Sequence, residues 1–130
     1  DDRWRRSAEG ALRHYARALE ERPLALTEML LALDFATDAP REVVLVWPEG
    51  EPAPEPFLSV LRRTFLPNRA LAGAPEGAGI ARLGRFASFA EGKVAAGRPT
   101  AYVCEKGQCR LPAIAPEKLA AQIAPVRPYR

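Results

Sequence analysis

The sequence predicts an α/β chain: a helical hairpin over residues 1–38, then a small three-layer domain over 39–130 in the order βαβαββα, on a mixed sheet of about four strands. Three observations predict it. Apolar side chains recur at three- and four-residue steps from Trp4 to Leu33. Val43 to Trp47 is an unbroken apolar run, the pattern of a strand covered on both faces. After it, helical periodicity alternates with short strand-like stretches punctuated by proline and glycine.

Element by element, Trp4, Ala8, Ala11, Leu12, Tyr15 and Leu19 form one stripe on a first helix that ends near Glu21 and Arg22. Pro23 suits a helix's first turn, so it is expected to start a second helix carrying Leu26, Met29, Leu30 and Leu33 inward. Thr37 to Pro40 closes this hairpin, and the composition changes to β-branched residues. The central strand Val43–Trp47 leads through a proline-rich connection, Pro48 to Pro56, into a helix with Phe57, Leu58, Leu61 and Phe65 inward, stopped at Pro67 and Asn68. A short strand, Ala70 to Ala72, precedes a glycine- and proline-containing loop from Gly73 to Gly79. Ile80, Leu83, Phe86, Ala87 and Ala90 then repeat with helical spacing, with Gly92 as C-cap. A β-hairpin over Thr100–Leu111 turns at Lys106 and Gly107. Pro116 opens a last helix carrying Leu119, Ala120 and Ile123.

At 130 residues and 48% hydrophobic content, the chain is long enough for a real core without staples. Its net charge of +3 comes mainly from arginines scattered among acids, which reads as a solvated surface and argues against a nucleic-acid partner. No stretch approaches the roughly 18 apolar residues of a membrane span, and no signal peptide is recognisable. A cytoplasmic protein without a membrane partner is expected. The chain opens at Asp1 without an initiator methionine and enters helical periodicity at once, the expected look of a piece of a longer protein.

Strand, helix, strand, helix, strand, strand, helix is the order used by thioredoxin-like folds. Gly97, Arg98, Pro99 and Thr100 resemble the Gly-x-Pro-Thr-type segment of thioredoxins, whose cis proline precedes the third strand. The resemblance makes Pro99 a candidate cis peptide. The chain departs from that pattern between Trp47 and Phe57, where a thioredoxin has Cys-x-x-Cys and this sequence has no cysteine. A Rossmann-like unit with an antiparallel edge strand accounts for the same string.

A broader resemblance rests on Pro40 to Val44 leading into the first strand, on Phe65 to Arg69 before the second, and on Gly97 to Cys104 with a second cysteine at 109. Together these resemble the C-terminal region of the thioredoxin-domain-containing YyaL and spermatogenesis-associated protein family. Such proteins have an N-terminal thioredoxin-like domain, then a helical barrel similar to sugar epimerases and six-hairpin glycosidases, then a small α/β region. The resemblance implies that residues 1–36 close the barrel and that the upstream barrel is this module's partner. The family's Cys-x-x-Cys and any barrel catalytic residues lie upstream of Asp1, so none transfers to a position here.

Both cysteines lie in the terminal hairpin. A two-residue turn at Lys106 and Gly107 pairs Glu105 with Gln108, Cys104 with Cys109 and Tyr102 with Leu111. Cα atoms of such non-hydrogen-bonded partners are roughly 4.5 Å apart, within reach of a disulfide. The leading reading is nevertheless a pair of buried thiols on an apolar sheet face beside Tyr102 and Leu111, with a cross-strand disulfide as the alternative. Lysine tolerates positive φ poorly, so a type I turn with a bulge at Gly107 also stands; it pairs Cys104 with Gln108 and separates the sulfurs.

Zinc needs about four ligands, and a Cys-x4-Cys pair with one distant histidine leaves the set incomplete, so no metal and no cofactor are expected. His14 reads as a surface or interface residue. Glu49, Glu51 and Glu55 follow the first strand, where open α/β sheets place ligands, yet they read as solvated loop charges. Gly73 to Gly79 lacks the Walker lysine and the dinucleotide fingerprint, and turn chemistry explains it. No catalytic residue is expected. The functional expectation is a noncatalytic accessory module packing on the upstream barrel, with self-association through the helical hairpin in its absence. The alternative is a thiol–disulfide participant through Cys104 and Cys109, and sugar-directed chemistry can belong only to the intact parent.

Overall fold

The computed structural model describes residues 2–124; Asp1 and residues 125–130, which the expected hairpin and α/β domain include, lie outside the described residues. The chain divides into two units, Asp1–Ala39 and Pro40–Arg130.

The first unit is helical. Helix α1 (Asp2–His14) and helix α2 (Ala16–Glu21) are separated only at Tyr15, where ψ rises to 6°. The hydrogen-bond ladder runs through the junction, Tyr15 N–H to Ala11 O at 3.1 Å and Leu19 N–H to Tyr15 O at 2.9 Å. Pro23 starts a one-turn 3-10 helix, Pro23–Ala25, rather than the next α-helix, because Leu26 leaves helical geometry (φ −128°, ψ 40°) before helix α3 (Thr27–Thr37) begins. Met29, Leu30 and Leu33 are half-buried, but neither α1 nor α3 contains a buried residue; Leu19 in α2 is buried. Trp4 is 67% exposed, with the Arg3 guanidinium 5.1 Å from its ring centroid.

The second unit is a mixed α/β domain whose four-stranded sheet has the order β2-β1-β3-β4. Strand β1 (Arg41–Trp47) is central, parallel to β2 (Arg69–Pro75) and antiparallel to β3 (Thr100–Glu105). The antiparallel β3 beside β1 departs from an all-parallel, doubly wound sheet. Strand β4 (Gln108–Cys109) completes the terminal hairpin.

Because side chains alternate across a strand, adjacent residues of β1 feed two separate cores. Val43 and Leu45 pack with Phe57 and Leu61 of helix α4 (Glu55–Arg63), Leu119 and Ile123 of helix α6 (Pro116–Ile123), and Ala101 and Val103. Val44 and Val46 face Ile80 of helix α5 (Ala78–Gly84), with Ala74, Ala90 and Ala95. The result is helices on both faces of one sheet, the three layers expected. Arg41 at the start of β1 is buried and donates to the carbonyl of Ile123 at 2.7 Å, tying the strand to the end of α6.

Several boundaries differ from expectation. β2 is longer than Ala70–Ala72, since the parallel ladder runs on until Pro75 meets Trp47. Gly73 is therefore a strand residue, and its bare Cα admits Trp47: a Cβ there would lie 3.3 Å from the indole and from the Leu45 carbonyl. Helix α4 ends at Arg63 because Thr64 is extended (φ −96°, ψ 122°). Phe65 is thereby 76% exposed, and Leu66 packs against the core instead. The expected helix over Ile80–Ala90 splits into α5 and a 3-10 turn, Ser88–Ala90, leaving Phe86 in solvent; Gly92 follows the turn with φ +71°.

Candidate functional site

The terminal hairpin uses the two-residue turn. Lys106 (φ 52°) and Gly107 (φ 77°) are both left-handed, the type I′ pattern, and the register pairs Glu105 with Gln108 and Cys104 with Cys109. Lysine adopts this conformation at a cost of roughly 1–2 kcal/mol. Lys106→Asn creates the favoured Asn-Gly turn and is expected to raise stability by about 0.5–1 kcal/mol, seen as a higher denaturant midpoint at unchanged slope.

The register then slips by one residue, and proline explains why. Continuing it would pair Ala101 with Pro112 at a hydrogen-bonded position, where proline has no N–H to give. Ala113 takes the place, exchanging both backbone bonds with Ala101 at 2.8 Å. The extra residue is accommodated as a bulge, and Leu111 swings out to 85% exposure. The expected pairing of Tyr102 with Leu111 is therefore not formed.

Cys104 and Cys109 are joined by a disulfide, with Cα atoms 3.9 Å apart. The leading expectation of two buried free thiols gives way, because the two-residue register seats the residues opposite one another on one face. Their environments differ: Cys104 is buried at 2% exposure, whereas Cys109, on the edge strand, is exposed.

Lys93 occupies the place expected for Leu111. Its ammonium lies 3.3 Å from Cys109 Sγ and 5.0 Å from the Tyr102 ring centroid, a cation–π contact. The Tyr102 hydroxyl fixes the adjoining backbone, donating to Val94 O at 2.8 Å and accepting from Val94 N–H at 3.4 Å. No linear signal in the sequence connects Lys93 to a cysteine sixteen residues away.

Lys93 also borders a cleft of about 720 Å³ between α5 and the segment that follows the 3-10 turn, with Ile80 and Val94 as apolar lining and Glu76, Arg85 and Glu91 as the other charged groups. The Glu76 carboxylate accepts the Ala95 N–H at 2.9 Å, which anchors this segment to the end of β2.

The other sequence candidates are not gathered here. Pro99 is trans, correcting the expected cis peptide. The reversal before β3 is made instead by Ala96 (φ 52°) and Gly97 (φ 80°), and the Thr100 hydroxyl donates to Ala95 O and Arg98 O at 3.0 and 3.1 Å. Glu49 approaches Gly77, the Glu51 carbonyl accepts the Trp47 indole N–H at 3.1 Å, and Glu55 pairs with Arg62. His14 is exposed, with its ring edge-on to Tyr15. Among the described residues, no cluster of three or more histidine, cysteine or acidic side chains could hold a metal ion, and no helix is long and apolar enough to cross a membrane. No family model matches the chain, and neither curated proteins nor solved structures give a significant match.

Proposed function

We propose that this chain is a noncatalytic C-terminal module of a larger cytoplasmic protein of the YyaL and spermatogenesis-associated type, with the upstream helical barrel as its partner. The observation that carries this reading is the uncovered apolar surface of the first unit: Trp4, Leu24, Leu31 and Phe35 are 67, 88, 62 and 42% exposed. Leu31 and Phe35 stand one turn apart on α3, and an exposed apolar helix face marks a packing surface. Without the barrel, the 130-residue chain is expected to self-associate at micromolar concentration in sedimentation velocity. Trp4→Gln combined with Leu31→Gln, both at exposed positions, is expected to return it to monomer. A chain that is monomeric throughout, or an upstream reading frame without a helical barrel, overturns the reading.

A second reading is favoured by one specific contact, the Lys93 ammonium on Cys109 Sγ. In it, the hairpin takes part in thiol–disulfide exchange. An ammonium beside Cys109 Sγ draws an attacking thiolate towards that sulfur. Alkylation of the native protein before and after mild reductant, read by mass spectrometry, tests it: a link that opens readily supports exchange, and two free, slowly reacting thiols remove it.

A further inference from the structure

We infer that exchange takes place at Cys109, and that its partner is a small peptide thiol bearing carboxylates and an ammonium, the chemistry of glutathione, seated in the cleft beside Lys93. This rests on the exchange reading above.

Access selects the sulfur. A thiolate must approach along the line of the S–S bond, and Cys104 is closed at 2% exposure while Cys109 is open on the sheet edge. In the reaction, the incoming thiolate sulfur bonds to Cys109 Sγ as the bond from Cys109 to Cys104 breaks. The electron pair leaves on Cys104, which takes a proton from water. One thiol and one protein disulfide thus give one mixed disulfide and one protein thiol; the protein disulfide is the oxidant.

The cleft selects the thiol. Its volume of about 720 Å³ falls in the usual range of small-molecule sites, roughly 300–1,000 Å³. Arg85 and Lys93 supply two cations for carboxylates and Glu91 an acceptor for an ammonium; Glu76, the fourth charged group of the lining, is engaged by the Ala95 N–H. Lys93 belongs to both cleft and disulfide, so a carboxylate-bearing thiol held there has its sulfur brought towards Cys109. Tyr102 keeps that lysine in place from below.

The test compares reduction of the oxidised 130-residue chain by glutathione and by the neutral 2-mercaptoethanol. Each rate is divided by that thiol's rate with hydroxyethyl disulfide, to remove intrinsic nucleophilicity. The normalised rate with glutathione is expected to be about tenfold higher, the scale of one charge-assisted contact between a carboxylate and Arg85 or Lys93, and to fall with added salt. Arg85→Gln and Lys93→Gln are each expected to bring the two rates together, whereas Lys118→Gln, on α6, leaves the ratio as it was. Acid-quenched peptide mapping is expected to find glutathione on Cys109. Equal rates with the two thiols, a preference indifferent to Arg85→Gln, or an adduct on Cys104 overturns the inference while leaving exchange intact. Failure of both thiols to open the link removes the exchange reading itself.

Discussion

Truncating Leu45 to alanine is expected to lower the unfolding free energy of the sheet unit by about 3 kcal/mol, a large share of the roughly 5–15 kcal/mol that stabilises a domain. Leu45 is 1% exposed and sits midway along the central strand, between β2 and β3. Neighbouring strands hold its backbone on both sides, so the site has little freedom to collapse onto the missing methyl groups, and the cavity persists. The layered core gives this prediction a sharper form. Leu61 lies in the same core as Leu45, while Ile80 lies in the core across the sheet. In double-mutant cycles, Leu45→Ala with Leu61→Ala is expected to depart from additivity by at least about 0.5 kcal/mol, and Leu45→Ala with Ile80→Ala to add within about 0.5 kcal/mol. Urea denaturation of the wild type, the three single variants and the two double variants provides the measurement. Equal coupling across and within the layers would contradict the assignment of alternate β1 residues to separate cores.

What was legible in the chain followed from strong local signals. The run from Val43 to Trp47 marks a doubly buried strand because five consecutive apolar residues leave neither face for water, and β1 is indeed covered on both sides. The place of the turn at Lys106 and Gly107 was legible, while its residues admit both a two-residue and a bulged register, and the structure takes the first. What escaped depended on partners distant in sequence. Gly73 to Pro75 has the composition of a loop, yet the parallel ladder with β1 draws it into a strand. Phe65 and Phe86 continue a helical period that the backbone abandons at Thr64 and after Gly84, so both rings end in solvent. The slip at Pro112 was derivable from the missing N–H, but only once Ala101 was known to lie opposite. Lys93 comes to the disulfide through the turn at Gly92 and the tie from Tyr102 to Val94, neither of which leaves a trace in spacing.

Cys104→Ser is expected to destabilise the oxidised protein by about 3–5 kcal/mol, and Cys109→Ser by only about 2 kcal/mol. Both remove the same cross-link. Its ends are five residues apart, so the loop whose closure it enforces is short, and chain entropy assigns it about 2 kcal/mol. The remainder separates the two positions. A serine at 109 places its hydroxyl in water and leaves Cys104 as a small buried hydrophobe, which costs little. At 104 the hydroxyl is instead carried into a site with 2% exposure, where an unpartnered polar group costs roughly 1–3 kcal/mol. Reductant distinguishes the two contributions. Reduced wild type is expected to fall to the level of Cys109→Ser, because each then lacks only the link, while Cys104→Ser stays below both and does not respond to reductant. Chemical denaturation with and without a phosphine reductant provides the comparison. Equal stability of the two serine variants would mean that position 104 can solvate its hydroxyl; the asymmetry that directs an incoming thiol to Cys109 would then lose its basis.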